Sequence, residues 1–172
     1  MPYLGPGVPN TVALPVYATW VFTPTPSVTA TVRIWNTGSN TAYVGKSGVN
    51  QADSFPIAPG NSPVHLQNIT QSLYACSDVT VGALLGTLST SYTAGSTVFV
   101  TAASVSTASI ASGAVIVLGS TVNSGWEAVV VGTHSTSYTT FGTTALVGDH
   151  GAVPFYAGTA LPTSVVVQAG VV

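Results

Sequence analysis

Charge is what this sequence has least of. Its 172 residues include two basic and four acidic side chains, and charged residues make up 3% of the chain, with a net charge of −2. An ordinary soluble domain is about one quarter Asp, Glu, Lys and Arg. Phosphate binding needs clustered Lys and Arg, so the shortage excludes nucleic acid as a partner. It equally excludes an electrostatic membrane anchor. One cysteine, Cys76, leaves no intramolecular disulfide framework. It sits in the apolar run Leu73-Tyr74-Ala75-Cys76 and reads as a small buried hydrophobe. No apolar stretch approaches the roughly 20 residues that span a bilayer. The start, Met1-Pro2-Tyr3-Leu4-Gly5-Pro6, has neither the basic nor the helical apolar region of a secretory signal, so the expectation is a chain made in a cytoplasm and not inserted in a membrane. A free monomer keeps a charged coat for solubility. A chain without one points to a surface covered by other protein, that is, to part of an assembly rather than a diffusing enzyme.

What is present is apolar and β-branched. Hydrophobic residues make up 46%, dominated by Val and Ala, and the polar residues are mostly Thr and Ser. Val and Thr favour pleated sheet, and the apolar content is too high for charge-driven disorder. At 17.2 kDa the chain has room for one domain or two very small ones. Strands are predicted at 29–35, where Ala30, Val32 and Ile34 alternate with Arg33 and Trp35, then at 42–45, 55–58, 64–66, 73–76 and 79–81. A second set is predicted at 97–100, 114–118, 126–131, 137–141 and 164–168. Residues 114–118 read as buried on both faces. Asn36-Thr37-Gly38-Ser39-Asn40 and Asn123-Ser124-Gly125 are turn signals. Residues 102–111, the one helix candidate, lack a 3.6-residue apolar period.

Short strands with Gly, Pro and Asn turns predict an all-β chain: one or two small antiparallel β-sandwich or jelly-roll-like modules. The expected division is an extended proline-rich arm at 1–27, a first β-module at 28–85 and a second at 86–172. Prolines at 2, 6, 9, 15, 24 and 26 exclude helix and central strand from the arm. Its apolar side chains, Tyr3, Leu4, Val12, Leu14, Val16, Tyr17, Trp20 and Phe22, are expected to form an interface, against either the chain's own domain or a neighbouring subunit.

Glu127, His134, Asp149 and His150 are the one cluster to weigh as a metal or acid–base site. The chain has almost no charged residues left to support such a site. Structural roles are therefore expected: Glu127 capping backbone amides or pairing with an imidazole, and His150 fixing a turn. No catalytic residue, cofactor or metal is expected. There is no Gly-x-Ser-x-Gly elbow, and Gly45-Lys46-Ser47-Gly48 lacks the upstream glycines of a phosphate loop and reads as a β-turn. Trp20, Trp35 and Trp126, with Tyr3, Tyr17 and Tyr43, read as core or interface anchors before a sugar-stacking platform.

Two stretches carry a resemblance. Thr31-Val32-Arg33-Ile34-Trp35-Asn36-Thr37-Gly38-Ser39, Ala42-Tyr43-Val44-Gly45, Phe55-Pro56-Ile57-Ala58-Pro59-Gly60 and Leu73-Tyr74-Ala75 together resemble a small β-module of tailed-bacteriophage virion proteins. Trp126-Glu127-Ala128-Val129-Val130-Val131 with Asp149-His150-Gly151-Ala152-Val153-Pro154 resembles a second phage-associated module, although here the glycine follows His150 directly. The resemblance implies a non-enzymatic capsid decoration (cement) or minor capsid protein in the virion head. Its partner would be the major capsid protein, and a homotrimer is the first expectation for its oligomeric state. A carbohydrate- or receptor-binding module of a head or tail fibre, and a tail or connector subunit, are the alternatives.

Overall fold

The computed structural model describes residues 7–26, 28–51, 54–60, 62–103, 105, 110–119, 126–137 and 139–170. Their regular structure is entirely β, with every strand pairing antiparallel, as the Val- and Thr-rich composition predicts. The chain divides into two compact units. One holds residues 1–49, 54–78 and 161–172, and the other holds residues 50–53 and 79–160.

The first unit contains β1 (Asn10–Leu14), β2 (Thr19–Phe22), β3 (Ala30–Asn36), β4 (Ala42–Gly45), β5 (Phe55–Ile57), β6 (Val64–Ile69), the first part of β7 (Leu73–Thr87) and β13 (Thr163–Gly170). One sheet runs β1-β13-β3-β6, and the other runs β5-β4-β7-β2. Counted in chain order within this unit, the two sheets read 1-8-3-6 and 2-7-4-5, the strand order of an eight-stranded jelly roll. All eight strands contribute to one core, which includes Leu14, Phe22, Ile34, Val44, Ile57, Leu73, Val165 and Val167, with Leu66 packed against it. In β3, Val32 and Ile34 are fully buried and Arg33 is exposed, so the expected two-residue alternation is realised. The turn after β3 is organised by Asn36. Its amide donates to Asn40 O at 2.6 Å and Ile57 O at 2.9 Å, while its Oδ1 accepts from Gly38 N at 3.0 Å and Thr163 Oγ1 at 2.8 Å. All four hydrogen-bonding positions of this buried amide are therefore used.

The expected arm is not an arm. Residues 10–14 pair with β13 and residues 19–22 with β7, each as an end strand of the jelly roll. Pro9 and Pro15 flank β1 instead of interrupting it, and an end strand tolerates a missing N–H. The expected modules 28–85 and 86–172 also differ from the units observed. The boundary between units falls inside β7, and β13 returns to the first unit as a central strand between β1 and β3. Strand pairing over such sequence distances leaves no local mark. β7 is one strand where two short ones were expected, because Ser77 and Asp78 offer no turn and their N–H groups are held by Pro15 O at 2.7 Å and Thr41 O at 3.2 Å.

The second unit contains the rest of β7, then β8 (Val98–Val100), β9 (Val115–Leu118), β10 (Glu127–His134), β11 (Thr140–Thr143) and β12 (Pro154–Leu161), paired in the order β7-β12-β9-β10-β11-β8. A bridge between Leu88 and Thr101, with Ser89 N donating to Val100 O and Ala102 N to Thr87 O, both at 2.9 Å, joins the end of β7 to the end of β8. The sheet thus curls back on itself, which removes an exposed edge. Inside it, the Phe99, Phe141 and Phe155 rings pack in series, tilted to one another, with neighbouring centroids 5.6 Å apart. Ile116, Val117 and Leu118 are all fully buried, matching the expectation of a strand covered on both faces. β12 had no strand signal. Proline opens it, as sheets allow, and Gly158 is required there because a Cβ would lie 2.7 Å from Val115 Cγ1. The hairpin turn expected at 123–125 and half of the helix candidate 102–111 lie outside the described residues. β9 and β10 nevertheless pair antiparallel from Leu118 and Glu127 inward.

Candidate functional site

Of the four titratable residues singled out in the sequence, the fold brings two together. Glu127 opens β10 and is buried. Its Oε1 accepts Val147 N at 2.7 Å and its Oε2 accepts Gly148 N at 3.1 Å. His150 Nε2 donates to the same Oε2 at 3.1 Å, since a carboxylate can only accept. His150 is itself buried, and its backbone exchanges two hydrogen bonds with Tyr92, at 2.7 and 2.8 Å. The carboxylate thus ties loop 146–150 to the start of β10. His134 sits at the exposed far end of the same strand beside Ser135 O, roughly 23 Å of extended chain away at 3.3 Å per residue. Asp149 turns away, and its Oδ1 accepts Ala94 N at 2.8 Å. Among the described residues no group of three or more His, Cys, Asp and Glu converges as a metal site. A general acid or base must reach a substrate proton, whereas both partners here are buried and committed to a loop.

The other sequence candidates have structural places. Gly45-Lys46-Ser47-Gly48 is a turn closed by Val49 N donating to Lys46 O at 3.0 Å. Cys76 is fully buried on β7. Tyr43 is held by Asp78: burial first, then the Asp78 charge and hydrogen bond, raise its phenol above the usual tyrosine range. Of the expected interface residues, Leu14, Val16 and Phe22 are buried, and Val12 packs against the core of the first unit. Trp20 is part-buried, with its indole donating to Thr23 Oγ1 at 2.6 Å, and Tyr17 is 41% exposed. Tyr3 and Leu4 lie outside the described residues.

What the sequence did not single out is an apolar flank on the jelly roll. β5 and β6 end their respective sheets on the same side of the sandwich. Between them lies a cavity of about 190 Å³, lined by Val44, Phe55, Ile57, Val64, Leu66 and Leu73 with Lys46 at one side. Phe55 is 54% exposed. β5 carries Pro56 and lacks that N–H, which blunts its edge. β6 has no proline and no Lys, Arg, Asp or Glu, and among the described residues its one strand neighbour is β3. The β3–β6 ladder breaks register between Ala30 and Val32, where Asn68 adopts a left-handed φ of 56°. The available sequence signal was Pro56 marking an edge strand next to the Val64/Leu66 alternation. That these two edges face each other is a tertiary fact.

No protein-family model, curated protein or solved structure matches the chain. Among the described residues no helix is long and apolar enough to cross a membrane.

Proposed function

We propose that this chain is a non-enzymatic structural subunit of a tailed-phage particle, made in the host cytoplasm and resident on the head, where it binds the major capsid lattice and stabilises it. The observation that carries the reading is a surface nearly without ions: charged residues are 3% of the chain, while Val8, Tyr17, Val28, Phe55, Leu84, Val98 and Val100 are exposed. A free monomer with that surface is poorly protected against association, and subunits of a shell have their surface covered. The jelly roll suits the role, being a fold of viral capsid proteins, although it also serves lectins and cupins. A sugar platform is less favoured, because Trp20, Trp35 and Trp126 are all part-buried and do not lie in one unit. The buried Glu127–His150 pair supports a scaffold role over catalysis.

Leu14, Val16 and Phe22 of the expected interface are used by the chain's own core, so the exposed residues above, Tyr17 among them, take the role of apolar capsid contact. The test is co-expression with the major capsid protein of the phage genome that carries this gene, followed by sedimentation of the assembled shells. The chain is expected to co-sediment at fixed stoichiometry and to raise the shell's melting temperature. Shells that sediment while the chain stays at the top of the gradient overturn the reading.

A further inference from the structure

We infer that the apolar flank between β5 and β6 is a socket for residues 1–6 of a second copy of this chain, with the ring of Tyr3 in the cavity and the adjoining backbone along the edge of β6. The inference goes beyond the role on the head and needs no capsid partner.

Three observations carry it. The first is the socket. Its lining is apolar and its volume is about 190 Å³, whereas an apolar cavity of about 150 Å³ takes one benzene ring. The second is the edge. Among the described residues β6 has no strand on its other side, and it has none of the prolines or charges that ordinarily guard a sheet edge, so an extended peptide can add to it and place a side chain in the cavity. The third is the supply. Residues 1–6 precede the first strand, carry no charged side chain and contain one aromatic ring, Tyr3.

Register decides between the chain's own segment and that of a second copy. Gly7 N donates to Ala169 O at 3.0 Å, Ala169 lies opposite Val32, and Val32 lies opposite Leu66. Gly7 therefore stands level with Leu66 but at the opposite side of the sheet, beyond β13 and β3. Three strand spacings are about 14 Å. From Gly7 to Tyr3 is four residues, which reach at most about 14 Å when fully extended. Crossing to β6 would use the whole stretch from Gly7 to Tyr3 at full extension, so the chain's own residues 3–6 cannot also lie along the β6 edge. The same segment arriving from another copy is under no such limit.

The experiment is sedimentation velocity on the full chain, on a chain lacking residues 1–6, and on Tyr3→Ala, each checked for unchanged circular dichroism and melting. The full chain is expected to self-associate. Both variants are expected to associate at least tenfold more weakly, because neither change touches a described strand. A synthetic peptide of residues 1–8 should then bind the shortened chain one to one and shift the amide resonances of residues 55 and 64–69. Phe55→Asp, at an exposed rim position, should abolish that binding. A monomeric full chain overturns the inference. So does a shortened chain that assembles like the full one, or a peptide that binds Phe55→Asp unchanged. A shortened chain that assembles normally and still co-sediments with shells removes this inference alone and leaves the role on the head standing.

Discussion

Deleting residues 1–22 should abolish folding of the jelly roll, although the proline content of this segment makes it look like a dispensable arm. The deletion removes β1 and β2 entire. With them go Leu14, Val16, Val21 and Phe22, none more than 4% exposed. At about 1.5–3 kcal/mol for each fully buried side chain, the loss is on the order of 6–12 kcal/mol. The figure is an upper one because the unfolded chain already hides some of this surface. Even so, it is comparable with the whole stability of a domain, about 5–15 kcal/mol. The damage extends beyond the lost burial. β13, with Val165, Val166 and Val167 in sequence, would lose its β1 neighbour and become an open apolar edge, which favours aggregation. The comparison is between the full chain, a chain lacking residues 1–6 and one lacking residues 1–22, followed by near-ultraviolet circular dichroism and urea denaturation. The first two should unfold cooperatively at similar midpoints, and the third should be insoluble or show no cooperative transition. A soluble chain lacking residues 1–22, with a native near-ultraviolet signal and a cooperative transition, refutes the assignment of these strands to the core.

Glu127→Leu should destabilise the protein by about 2–4 kcal/mol, since it strands the buried His150 donor and the part-buried amides of Val147 and Gly148; Glu127→Gln, which keeps one acceptor oxygen, should cost less, and urea midpoints for the two variants that match the parent would contradict the role given to the carboxylate. Gly38→Ala should lower the melting temperature, by an amount corresponding to about 1–3 kcal/mol, because its Cβ would lie 2.8 Å from Ser164 N and 2.9 Å from Thr163 Cα, backbone-linked atoms that cannot swing aside. Tyr43→Phe should flatten the alkaline loss of stability. The Tyr43 phenol is raised above its usual value by burial and by Asp78, so its contribution is complete below about pH 10 and disappears as pH climbs through the folded-state value. Equal slopes of denaturation midpoint against pH, for parent and variant between about pH 9 and 11, would remove that explanation.

Local chemistry was readable from the residues. The β-branched composition predicted an all-β chain, the two-residue alternation placed Val32 and Ile34 inside, and the unbroken apolar run 114–118 foretold a strand buried on both faces. Asn36-x-Gly38 announced its turn, and Glu127 with His150 stood out because so few ions exist to be noticed. Each of these signals comes from a residue and its near neighbours, where side-chain period and turn geometry act directly. The decisive features of the fold act at long range. Asn10 finds Val167, the second unit interrupts the jelly roll between its seventh and eighth strands, and β5 and β6 end two different sheets on one flank. Backbone hydrogen bonds carry no sequence label, so a strand's partner is chosen by which apolar faces can close a common core. That choice exists only once the chain has packed. It turned an apparent arm into two strands of the sandwich and left one apolar cavity open at its side.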